Sequence, residues 1–137
     1  MKEHGSYRME ALGRVIECDC SGSWNVETAQ RYCRQQRALV RQMGEGSWVK
    51  ILDLCGWELG TPEVLIPLRE LYVWSAQHGQ VRQLNIRHQS LFKTMHLESV
   101  IPADSPIEFI EVDSWAQARE LLARDYLAPE QVSSSLE

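Results

Sequence analysis

The chain has 137 residues, 44% hydrophobic and 24% charged, with a net charge of -5 and a pI near 5.4. One domain with a real core fits that length, and scattered Lys and Arg in an acidic chain exclude the basic footprint of a nucleic-acid binder. No apolar run reaches the ~20 residues of a membrane span, and MKEHGSYRME at the start lacks the apolar core of a signal peptide.

The expectation is therefore a cytoplasmic protein. Residues 1–6 read as a flexible N-terminus, 7–126 as a single domain, and 127–137 as a disordered tail ending in Leu136-Glu137, a pair that resembles an expression scar. Cys18, Cys20, Cys33 and Cys55 lack the C-x-x-C knuckle of a zinc site and read as small buried hydrophobes in a reducing compartment. Cys18 and Cys20, two apart on a strand, point to one face.

YRMEAL (7–12) and RVIECDC (14–20) alternate apolar and polar residues around Gly13 and predict a hairpin or two adjoining strands, broken afterwards by Gly22 and Ser23. Asn25 to Met43 follows as a helix capped by Asn25, with Val26, Ala29, Cys33, Val40 and Met43 inward. Gly44 and Gly46 end it. WVKILDL (48–54) is too apolar at its centre for a sheet exposed on one side, so it predicts an inner strand covered on both faces.

CGWELGT (55–61) reads as a hinge leading into a helix that runs to Gln77, with Thr61 as N-cap and Pro62 in the first turn. Val64, Leu65, Leu68, Leu71, Tyr72 and Ser75 form its inward set. Pro67 predicts a bend or a later helix start. VRQLNI (81–86) is the next strand. A helix over 90–98 with Leu91, Phe92 and Met95 inward, a loop over 102–106, and the strand IEFIEV (107–112) with Ile107, Phe109 and Glu111 on one face complete the alternation. Asp113 or Ser114 caps a last helix whose buried side is Ala116, Ala118, Leu121 and Leu122.

The predicted order is β-β-α-β-α-β-α-β-α, an α/β domain with a mostly parallel central sheet, covering helices, and the first strand antiparallel at one edge. In such sheets ligands meet the carboxyl ends of the strands. Trp24, Trp57, Glu58, Leu59 and Gly60 are the candidate partner or ligand contacts there, with His88 following the fourth strand. Thr61 reads either as a cap or as a hydroxyl open to phosphorylation at a helix N-terminus. Asp53 with His88 is the remaining enzymatic reading. No P-loop, G-x-G-x-x-G, G-x-S-x-G or H-E-x-x-H is present, so no cofactor or metal is expected.

RVIECDCSGSWNVETAQRYCRQ, VKILDLCGWELGTPEVLIPL, VRQLNIRHQSLFKTM and IEFIEVDSWAQARELL, in that order, resemble the STAS domain family and its SpoIIAA-like branch. The resemblance implies a regulatory, protein-binding module without enzymatic activity, with a homodimer as one open assembly. In anti-sigma-factor antagonists of this family a phosphorylatable Ser or Thr opens the second helix, commonly after Asp. The matching residues here are Gly60 and Thr61, with Pro62 behind them. The likeness of this branch to Sec14-type lipid carriers implies a second expectation, a pocket of several hundred cubic ångströms for a small apolar ligand.

Overall fold

The structure is a computed structural model that describes residues 5–86 and 98–123. Its strands are β1 (Ser6–Leu12), β2 (Val15–Trp24), β3 (Trp48–Leu59), β4 (Gln80–Ile86) and β5 (Glu108–Val112). Its helices are α1 (Val26–Met43), α2 (Leu65–Gln77), α3 (helical residues 98–100) and α4 (Trp115–Leu122), with a 3-10 turn, Pro62–Val64, ahead of α2. The expected inward residues Leu91, Phe92 and Met95, and the candidate His88, lie outside the described residues.

The five strands stand in chain order, β1-β2-β3-β4-β5, with β1 antiparallel and the others parallel. Consecutive right-handed crossovers between neighbouring parallel strands lay their helices on one face. Accordingly α1 and α2 share a face, packed over Ile16, Cys18, Trp48, Leu52 and Leu54. Among the described residues only α4, after the last strand, reaches the other face, where it meets Val15, Val49, Ile51, Leu84, Ile86 and Val112. β3 is therefore the central strand and is buried on both sides, as the apolar run from residue 48 predicts.

The caps of α1 and α4 form as expected. Asn25 Oδ1 accepts the Thr28 N–H at 3.1 Å, and Ser114 Oγ accepts the Gln117 N–H at 3.1 Å. Pro67 shifts the start of α2 rather than bending it. The helix begins at Leu65, so Pro67 sits in the first turn, where its missing N–H has no carbonyl to serve.

Expectations for five elements are corrected. β2 does not stop at Gly22 but runs on to Trp24, because Gly22 adopts φ 76° and pairs with Trp57 of β3. β3 extends to Leu59, absorbing most of the proposed hinge. The inward face of α1 also includes Tyr32 and Gln36. On α4, Ala118 and Leu122 are buried, whereas Ala116 is exposed and Leu121 is 52% exposed, and on β5 Glu111 points to solvent. A two-turn helix lying on a single flat face buries only one narrow stripe.

On the α4 face, Glu17 is 1% exposed yet bears a carboxylate. Arg119 resolves this with a fork: Nε to Oε2 and Nη2 to Oε1, both 2.9 Å. Its guanidinium also lies 5.2 Å from the Trp115 ring centroid. Because Arg119 is half exposed, solvent can take over part of its role after truncation. Arg119→Ala is expected to lower the unfolding free energy in urea by about 2 kcal/mol. The double change Glu17→Leu, Arg119→Leu is expected to recover most of that loss. A single variant as stable as the parent would show that the fork contributes nothing.

Candidate functional site

The carboxyl end of the sheet is shaped by one extra residue in β3. Asp19 pairs with Asp53 and Ser21 with Gly56, so β2 advances two residues while β3 advances three. Side chains alternate faces with a period of two, so without this bulge Trp57 would follow Val49, Ile51 and Asp53 onto the α4 side. With it, Trp57 turns to the α1–α2 side and is 4% exposed. Asp53 braces the bulge: Oδ1 accepts the Cys55 N–H at 2.8 Å, and Oδ2 accepts the Trp115 Nε1–H at 3.0 Å. Its carboxylate thus ties the bulged strand to α4.

Trp24, expected on an open loop, is 1% exposed. Its ring meets Tyr32 at 5.1 Å and Trp57 at 6.2 Å, both edge-to-face, and its Nε1–H is shared by the Ser21 and Ser6 carbonyls. The two tryptophans that the sequence offers as contacts are brought together, but in the interior.

They wall a chamber of about 40 Å³ between the sheet and the helices. Cys20, Lys50, Leu52 and Leu54 form its floor, Tyr32 and Leu71 with Tyr72 its roof, and Leu65, Leu68 and Val100 its outer side. Leu65 and Leu68 retain partial exposure, so the chamber meets the surface at the first turn of α2. The volume falls short of the expected several hundred cubic ångströms and holds only a few waters. Burial pushes the Tyr32 and Tyr72 phenols and the Cys18 and Cys20 thiols upward, so these groups keep their protons near neutral pH.

Lys50 is the residue that motif reasoning passed over. It is 2% exposed, and among the described residues it is the only basic one lining the chamber, which no described carboxylate lines. Its Nζ donates to Gln36 Oε1 at 2.6 Å and to the Tyr32 hydroxyl, and lies 4.7 Å from the centre of the Tyr32 ring. Gln36 Nε2 in turn donates to Ser75 Oγ at 3.0 Å, which joins α1 to α2. The signal was present in WVKILDL, since Lys50 alternates with Trp48 and Leu52 and must share their buried face.

The other candidates lie on the rim. Glu58 and Gly60 are exposed and Leu59 is half-buried. Thr61 is exposed as expected, but its hydroxyl makes no cap bond. Pro62 supplies no N–H, and the turn is closed instead by the Val64 N–H on the Thr61 carbonyl at 3.1 Å. A Cβ on Gly60 would stand 2.0 Å from the Trp24 carbonyl oxygen, so the aspartate that the family resemblance puts there does not fit. Gly60→Asp should cost about 2 to 3 kcal/mol, measured by thermal unfolding. A variant of unchanged stability would mean that the end of β2 yields freely.

No family model matches the chain, and no curated protein matches it. Among solved structures it is similar to an uncharacterized DUF3478-family protein from Shewanella loihica PV-4, with a TM-score of 0.66 at 11% identity. The likeness covers 89% of this chain and 96% of that one. That crystal structure has a SpoIIAA-like fold, and the element order and sheet described above make the same true of this chain.

Proposed function

We propose that the protein is a non-enzymatic binding module that admits a small, largely apolar ligand to the chamber beneath α2 and acts as its sensor or carrier. One observation carries this reading: an aromatic and aliphatic chamber opens at the carboxyl ends of the parallel strands, beside the central one. Its phenols and thiols keep their protons and offer no ready nucleophile, which favours binding over catalysis.

Ligand sites usually enclose ~300–1,000 Å³, so the first turn of α2 must move outward as a ligand enters. The start of α2 suits such movement. It is a 3-10 turn with prolines at 62 and 67 and no side-chain cap, so few hydrogen bonds hold it down. Calorimetric titration with 1-octanol is expected to show saturable binding. Leu68→Trp, which fills the mouth, is expected to abolish it while changing stability by less than about 1 kcal/mol. Absence of saturable binding by the parent protein would remove the reading.

A second reading places a protein partner on the rim of Glu58, Gly60 and Thr61. The observation in its favour is the exposed Thr61 hydroxyl, which no cap bond occupies. Phosphorylation there would put charge beside a helical N-terminus. Intact-mass measurement of protein from its own host is expected to show a phosphate that Thr61→Ala removes. An unmodified parent protein counts against the switch.

A further inference from the structure

The α4 face and the α1–α2 face treat buried charge differently. Glu17 has its counter-ion in Arg119. Lys50 has only neutral partners, the Gln36 amide oxygen and the Tyr32 hydroxyl, and no described carboxylate pairs with it. A buried cation away from water calls for an anion. An ammonium has three donors, and the third has no partner among the described residues. Leu or Met would fill the same place between Trp48 and Leu52 without that cost. The amine lines the chamber, which is the space open to it among the described residues.

We propose that Lys50 is a ligand-recognition residue, and that the ligand is an amphipathic monocarboxylic acid. Its carboxylate would accept from Lys50 Nζ, and its hydrocarbon part would lie against Trp24, Trp57 and Leu68. A single negative charge matches the single cation, whereas a phosphate dianion would leave charge uncompensated among apolar walls. Without a ligand the Tyr32 hydroxyl and the Gln36 amide oxygen accept from the ammonium. This inference rests on the chamber being a ligand site.

The test compares octanoate with 1-octanol, the same tail with a different head, on the full chain and on Lys50→Met. Met keeps the length and apolar stem of Lys, and circular dichroism reports whether it folds. The parent is expected to bind octanoate at least about tenfold more tightly than 1-octanol, since hydrogen bonds to charged groups outweigh neutral ones. Lys50→Met should lose about ten- to a hundredfold for octanoate and change by less than about twofold for 1-octanol. Tyr32→Phe, which keeps the ring, provides a second variant and should weaken octanoate selectively.

Equal binding of the two ligands by the parent, or octanoate binding indifferent to Lys50, overturns this inference and leaves the chamber reading standing. Binding of neither ligand overturns both.

Discussion

The single inserted residue between Asp53 and Gly56 organises the functional end of this molecule. Strand alternation leaves no freedom: an odd-numbered residue of β3 faces α4 until the bulge inverts the parity. Past that point Trp57 lies over Trp24, and the two indoles close one side of the chamber. Asp53 holds the inversion in place by taking the Cys55 N–H and the Trp115 indole. A carboxylate at a strand end is a natural candidate for a general base. Here both oxygens are engaged in shaping the strand.

The two faces of the sheet also differ in how they tolerate polarity. On the α4 face the fully buried carboxylate of Glu17 is matched by a bidentate guanidinium, and the half-buried Asp53 accepts from the Trp115 indole. The opposite face carries the Lys50 ammonium among neutral polar groups. Lys50 reaches Gln36 and Tyr32, Gln36 reaches Ser75, and Gln83 reaches Tyr72 at 2.9 Å. Each bond crosses between elements, so the network fixes how α1 and α2 sit on the strands. The network borders the chamber of about 40 Å³. A buried ammonium with an acceptor for only two of its three donors among the described residues is unusual in a core built only for stability.

The rim and the chamber are neighbours rather than rivals. Gly60 approaches the Trp24 carbonyl so closely that only hydrogen fits between them, and two residues later the chain enters the 3-10 turn that leads to Leu65 and the mouth. The backbone is therefore pinned at Gly60 and loosely held from Pro62 onward. Any outward movement of the first turn of α2 would be felt at Thr61, which gives a physical route from chamber occupancy to the exposed surface.

Periodicity and caps made most of this legible from residues alone. The apolar centre of residues 48–54 marked the middle strand, Asn25 and Ser114 marked helix starts, and strict alternation of β and α elements implied parallel pairing. These are local signals, set by interactions within a few residues. The strand continuations through Gly22 and past Cys55 were hidden, because glycine and serine read as breaks unless a partner strand is known to pair with them. Trp24 and Trp57, expected at the surface as contacts, lie in the interior. Their burial depends on a bulge that no periodicity announces.

The amino-acid order by itself determined the kind and sequence of the described strands and of α1, α2 and α4, since hydrophobic period and capping chemistry act along the chain. Tertiary structure alone decided that Lys50, Tyr32 and the two tryptophans share one chamber. They come from three different elements, and only the crossover geometry and the parity of one bulged strand bring their side chains together.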